Sequence, residues 1–276
     1  MALAPVPFDA TILSAWDEGP LWSARFGQLL LDQVPLAGVR RALDLACGTG
    51  FPLFELARCL GPASFCVGAD HWPDALARAN FKRRAYAADA VGLVRGDGAR
   101  LPLAAESFDL VTINLGINNF ADPRAVLAEC ARLLAPNGRL ALTTNLTGHM
   151  QEFYAVFRQV LQDQGLSNLV PALDAQEQHR GTRVSVTALI EGAGLRVERI
   201  VEDEFRLRYR DGSALLRHWF VRLGFLDGWL GVVRGLDDPA RQPAIFAEIE
   251  RRLNHTAAAD GVVALTIPRL YVQAVR

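Results

Sequence analysis

The sequence predicts an α/β fold, a doubly wound and mostly parallel sheet with helical insertions, on three observations. Residues 42 to 50, Ala-Leu-Asp-Leu-Ala-Cys-Gly-Thr-Gly, form an apolar strand that carries one carboxylate, Asp44, and ends in a glycine turn. A second apolar run, Phe65-Cys66-Val67-Gly68-Ala69, closes on Asp70 about 20 residues further on, the spacing at which a βαβ unit sets an acid against a ribose diol. From Arg40 to Asn145 strands alternate with helices, which implies a parallel sheet covered on both faces.

Taken in order, residues 8 to 34 hold Phe8, Trp16, Trp22 and Phe26 among acidic and small residues and read as one or two short helices. They either cover a ligand or pad the sheet edge. In the turn after the first strand, Gly48 and Gly50 remove the Cβ that would block a positive φ or a close ligand approach, and Phe51 to Leu60 reads as the helix beneath it. Gly92 to Arg95 is a short strand that leads into Gly96-Asp97-Gly98-Ala99, and Leu110 to Asn114 is the next. Leu127 to Leu134 is amphipathic, and Asn137 in the following turn tolerates a left-handed backbone almost as well as glycine.

Beyond Asn145 the chain adds helical segments over 146–190 and 211–255, separated by a strand over 195–209 and followed by a last strand over 262–275, which Pro268 interrupts at a bulge or edge. The expected organisation is one domain over 1–276: an N-terminal helical cap at 8–34, a ligand-binding core at 40–145 and a substrate lid made by the two helical insertions. Residues 215–230 are notably apolar and fit an acceptor pocket, a homodimer face or ordinary core.

A strand, a glycine turn, a helix and a later acid also describe a dinucleotide site. Two details oppose it. Leu53 stands where a third glycine belongs and Pro52 removes an amide that a pyrophosphate could use. Asp44 also places a negative charge inside the motif, which repels a pyrophosphate and attracts a sulfonium bearing an α-ammonium group. The ligand should be cationic and adenosine-bearing.

At this point the residues resemble the class I S-adenosylmethionine-dependent methyltransferases over roughly 40–145, and the motifs follow in that family's order. Gly96-Asp97-Gly98-Ala99 is similar to the acidic turn beside the adenine, and Ser107-Phe108-Asp109 to the lead-in to the fourth strand. Asn114 to Pro123 resembles the post-strand segment of the small-molecule subgroup that methylates quinone precursors, with Asn118 in place of one of its arginines. The resemblance implies a seven-stranded sheet with an antiparallel last strand and S-adenosylmethionine as cofactor. The residues it implies around that cofactor are Asp44, Ala46, Cys47, Gly48 and Gly50 at the first turn, Asp70 and His71 at the ribose, Asp97, Gly98 and Ala99 beside the base, and Asn114 and Leu115 after the fourth strand.

Composition limits the partners. A net charge of −1 gives no electrostatic footprint for nucleic acid, and the Lys82-Arg83-Arg84 run with Arg78 reads as a solvated helix face. Cys47, Cys59, Cys66 and Cys130 lack CxxC spacing and read as small buried hydrophobes, while histidines scattered at 71, 149, 179, 218 and 255 argue against a metal. No apolar run approaches the ~18 residues of a membrane span, which leads to the expectation of a cytoplasmic protein.

Methyl transfer from a sulfonium demands in-line placement and exclusion of water, and a base only where the acceptor must lose a proton. His149, just after the expected fifth strand, is the first candidate base, with Tyr154 behind it. Trp16, Trp22, Asn118, His149, Trp219 and Phe220 are the candidate acceptor-binding residues. The expected function is methyl transfer to a small, partly apolar organic acceptor at oxygen, nitrogen or carbon. Alternatives are a protein or RNA methyltransferase and a noncatalytic S-adenosylmethionine-binding scaffold.

Overall fold

A computed structural model describes residues 21–236, 238 and 241–276 of the chain. Phe8 and Trp16, expected in the N-terminal cap, lie outside them. The described residues divide into two compact units: one within 21–145, 181–203 and 269–276, which holds most of the sheet, and one within 146–180 and 204–268, which is largely helical.

In the sheet unit, helix α1 (Ser23–Gln33) precedes β1 (Arg41–Leu45), α2 (Leu53–Leu60), β2 (Phe65–Asp70), α3 (Pro73–Ala85), β3 (Val91–Arg95), β4 (Phe108–Asn114), α4 (Pro123–Leu133) and β5 (Leu134–Asn145). With β6 (Arg196–Tyr209) and β7 (Val263–Val275), two long strands that continue into the helical unit, the sheet has seven strands in the order β3-β2-β1-β4-β5-β7-β6. Strands β1 to β5 pair in parallel, and β7 runs antiparallel to β5 with Thr143 opposite Tyr271. This is the expected doubly wound architecture. Sequential strands run 1-2-3 outward on one side and 4-5 on the other, so the chain reverses between β1 and β4, where open α/β sheets form a crevice at their carboxyl ends.

Leu29 and Leu30 of α1 and Leu53, Phe54 and Leu56 of α2 cluster with Ala42, Cys66, Leu110 and Ala141 of the strands, which fixes α2 directly behind the first turn. Removing this apolar surface from water is the main term that holds the layer. The sequence starts the fourth helix at Leu127, whereas it begins at Pro123: Asp122 accepts from the amides of Arg124 at 3.0 Å and Ala125 at 3.1 Å, and proline suits the first helical position. Asn137 takes φ 63°, the left-handed conformation its sequence position allows.

Helix α7 (Arg183–Gly192), expected in the lid, belongs to the sheet unit instead. A reciprocal cap between Thr182 and Ser185 starts it, and Val186 and Ile190 supply its buried face. Cys47, Cys66 and Cys130 are buried as expected; Cys59 is exposed, because it sits on the solvent side of amphipathic α2.

The helical unit comprises α5 (Gln151–Asp163), α6 (Val170–Glu177), α8 (Gly212–Arg217), α9 (Trp219–Gly224), α10 (Leu226–Val233) and α11 (Arg241–Asp260). Its core is aromatic. Phe153 of α5 stacks on Trp229 of α10 with centroids 3.9 Å apart, and Phe157 meets Phe246 of α11 at 5.7 Å. The 215–230 stretch therefore supplies core through Leu215, Leu216, Leu226 and Trp229. No helix among the described residues is long and apolar enough to cross a membrane.

Candidate active site

The carboxyl ends of β2, β1 and β4 lie side by side, and each ends in a polar or strained residue. After β1, Ala46 takes φ 59°, Gly48 φ 54° and Gly50 φ 101°. Sparsely populated backbone of this kind persists only where neighbours hold it. Here the Cys47 amide donates to the Ala69 carbonyl at 3.1 Å, and the Gly48 amide donates to Asp70 Oδ2 at 2.9 Å. Asp70 accepts a second amide, from Trp72 at 2.9 Å, so its carboxylate is fixed at the end of β2. His71 lies outside, exposed, with Nδ1 3.5 Å from Asp70 Oδ1.

Asp44 is buried in the middle of this arrangement. Thr112 Oγ1 of β4 donates to its Oδ1 at 2.7 Å, and Oδ2 has no partner. Burial foremost, with the Asp70 charge adding to it, pushes the Asp44 pKa up to about 7. An unpartnered buried carboxylate oxygen is a poor neighbour for an anion and a good one for a cation. A Cβ built on Gly48 meets nothing within 4 Å, so the turn leaves open space, whereas one on Gly50 meets the Phe54 ring at 2.2 Å. Gly48 thus serves approach from outside, and Gly50 serves packing against α2.

Further along, Asp97 closes a local turn by accepting the Ala99 amide at 3.0 Å, and Gly98 sits between them. Thr143 Oγ1 donates to Asn114 Oδ1 at 2.7 Å, and Leu115 follows at φ 64°. Asn118 donates to Thr144 Oγ1 at 2.8 Å and Asn145 Oδ1 at 2.9 Å, while the buried Asn145 Nδ2 finds no partner. The structure therefore brings Asp44, Ala46, Cys47, Gly48, Gly50 and Asp70 into one locus and adds Thr112, which the sequence did not single out. A cationic, adenosine-bearing group fits this donor set: an orphaned buried carboxylate oxygen beside a turn without a Cβ, next to a fixed strand-end acid.

In the helical unit the expected residues stand differently. His149 is fully buried with neither ring nitrogen partnered, and burial, with Arg180 and His179 adding, pulls its pKa down to about 3. So weak a base is a poor proton acceptor at neutral pH, which corrects the expectation of a general base at this position. Tyr154 is corrected likewise: its hydroxyl accepts from Trp229 Nε1 at 3.2 Å, and burial raises its pKa, so it keeps its proton. Phe220 is buried and Trp219 half-buried, their rings 6.0 Å apart, and Trp219 stacks on His218. In the sheet unit, Trp22 is buried with its ring 5.2 Å from Phe26. Trp16 lies outside the described residues.

Residues 43–142 match the family model described as a methyltransferase domain. With this sheet order and this series of strand-end residues, that stretch resembles the class I S-adenosylmethionine-dependent methyltransferases, and the chain has their fold. Among curated proteins it is similar to the demethylmenaquinone methyltransferase of Corynebacterium glutamicum, 36% identical over 151 residues that cover 55% of this chain and 59% of that one. The chain spans a little over half the length of such relatives. Among solved structures it resembles the YcgJ protein of Bacillus subtilis, with a TM-score of 0.58 and 18% identity over 92% of this chain and 98% of that one. It also resembles an S-adenosylmethionine-dependent methyltransferase of Aquifex aeolicus, with a TM-score of 0.55 and 19% identity over 71% and 93%. At these identities the two structures establish the fold alone.

Proposed function

We propose that the protein transfers the methyl group of S-adenosylmethionine to a small, partly apolar organic acceptor. The observation that carries this reading is the buried Asp44 carboxylate, one oxygen unpartnered, beside a glycine turn and the amide-fixed Asp70. When bound, the cofactor supplies an electrophilic methyl on a sulfonium. Asp44 offsets the ammonium charge, and Asp70, each oxygen already holding one amide, keeps lone pairs for ribose hydroxyls. Gly48 lets the ligand approach the backbone. Asp97 to Ala99 form the turn for the base, and Asn114 and Leu115 line the far side.

No residue here is asked to move a proton early, which suits an acceptor that is already nucleophilic; placement and water exclusion then supply the rate. Among the acceptor-binding candidates, Trp22 and Asn118 lie in the sheet unit and His149, Trp219 and Phe220 in the helical unit. Its apolar, aromatic composition and the demethylmenaquinone-named relatives support a small organic molecule rather than a protein or RNA.

Calorimetry tests the cofactor, and a screen of phenols, amines and acids read by mass spectrometry for S-adenosylhomocysteine tests turnover. S-adenosylmethionine and its demethylated product should bind while NAD does not. Equal or tighter NAD binding overturns the assignment, and cofactor binding without turnover on any acceptor leaves a scaffold.

A further inference from the structure

Within the helical unit, an aromatic belt encloses two polar groups that the transfer reaction above does not use. The His149 ring lies 5.7 Å from Phe225 and 5.8 Å from Tyr154, and Phe225 lies 5.6 Å from Phe220 and 6.0 Å from Trp229. The Arg180 guanidinium sits over the Phe225 face, 5.8 Å from its centroid. His149 lacks the partners that burial ordinarily demands, and Arg180 is half-buried beside it. Neither ring nitrogen of His149 has a hydrogen bond. Arg180 makes no ion pair among the described residues, and the two acids on the preceding helix, Asp174 at 2.5 Å and Glu177 at 2.9 Å, are both held by Arg158.

We propose that this belt binds a planar aromatic carboxylate, its acid group paired with the Arg180 guanidinium and hydrogen-bonded by the His149 imidazole, its ring among the aromatic side chains. A guanidinium offers a planar fork that matches a carboxylate, and a desolvated cation without a counter-charge is stabilised most by an anion delivered with apolar surface attached. The depressed basicity of His149 agrees: the ring stays neutral, keeps one N–H to donate, and leaves the positive charge to Arg180. A single guanidinium over one aromatic face suits a monoanion better than a phosphate. The inference deepens the proposed function, on which this acid is the methyl acceptor, and names its class.

The experiment is calorimetry on the full chain with 2-naphthoate and 4-hydroxybenzoate, each against its carboxamide, which keeps the shape and removes the charge. The acids should bind at least about tenfold tighter than the amides, the scale of a desolvated charge pair. Arg180→Gln should erase that preference while amide and S-adenosylhomocysteine affinities stay unchanged, and Arg180→Lys should retain part of it. Equal affinity of acid and amide, no saturable acid binding up to millimolar concentration, or an undiminished preference in Arg180→Gln overturns the proposal. Should Arg180→Gln fail to fold, the acid-against-amide contrast in the unsubstituted protein decides by itself. Acid binding without S-adenosylmethionine binding retires the transferase reading and keeps this one, and the reverse pattern retires this one alone.

Discussion

Gly48 and Gly50, two residues apart in one turn, should fail in different ways when given a methyl group. At Gly50 the backbone sits at φ 101°, and an added Cβ lies 2.2 and 2.6 Å from two carbons of Phe54, a ring of α2 that is buried in the core. Left-handed strain of roughly 1–2 kcal/mol and overpacking of about 1–3 kcal/mol together put Gly50→Ala about 2–5 kcal/mol below the parent. At ~2–4 °C per kcal/mol for a chain of this size, melting should fall by roughly 4–20 °C. Gly48 at φ 54° has the backbone that Ala46 already adopts at φ 59°, and its Cβ would meet nothing within 4 Å. Gly48→Ala should therefore lose only about 1 kcal/mol of stability. Its methyl instead fills the space assigned to the cofactor, and S-adenosylhomocysteine should bind about 10- to 100-fold more weakly, or ~1.4–2.8 kcal/mol. Differential scanning fluorimetry and calorimetry on both variants separate the two effects. A Gly48→Ala protein whose affinity stays within about twofold of the parent refutes the assignment of that space.

Two further substitutions test the carboxylates. Asp70→Ala should weaken S-adenosylhomocysteine by about 1.5–3 kcal/mol, the scale of a charge-assisted hydrogen bond, and an unchanged dissociation constant removes Asp70 from the ribose site. For Asp44 the folded pKa of about 7 lies above the usual carboxylate value of 3.8, so the native state holds an extra proton between those limits. Its contribution to stability must fall as pH rises through that window and level off above it, by up to about 4 kcal/mol. Urea unfolding from pH 4 to 8 should show a less negative slope in Asp44→Asn than in the parent, and parallel curves sink the assignment.

Much of the sheet unit was legible because its signals are local. The strand over 42–45, the glycine turn and Asp70 declare themselves within 29 residues of sequence, and the left-handed tolerance of Asn137 is a property of one side chain. What depends on distant pairing was not. Thr112 meets Asp44 across 68 positions, and nothing in the residues around Thr112 marks it. Arg180 is an ordinary arginine until Phe225, forty-five positions later by number, comes under its guanidinium. His149 misleads for the same reason: its place after the fifth strand suggests a base, and burial among the aromatic rings of α5 and the α9–α10 junction, with the Arg180 and His179 charges adding, lowers its basicity in a way that only the three-dimensional structure reveals. The early start of α4 was missed because Asp122 acts through its cap rather than through hydrophobic period.

The sheet order explains why strain and polarity gather where they do. Helices that follow β1 and β4 leave in opposite directions from neighbouring strands, which opens the carboxyl edge between them, and both strands end in left-handed residues, Ala46 and Leu115, that turn the chain away from that opening. Asp44 projects from one of those strands and is held by Thr112 from the other, so this buried carboxyl group is fixed by the same pair that makes the crevice. The family match ends at residue 142, and the helical unit takes up the chain at 146. A fold that fixes its cofactor by strand order and a few strand-end residues leaves the helical segments free to change composition, since their aromatic core packs on itself. On that logic substitutions at Gly48, Asp44 and Asp70 should move cofactor affinity whatever the acceptor, whereas Arg180 and its aromatic neighbours should move the choice of acceptor and leave the cofactor alone.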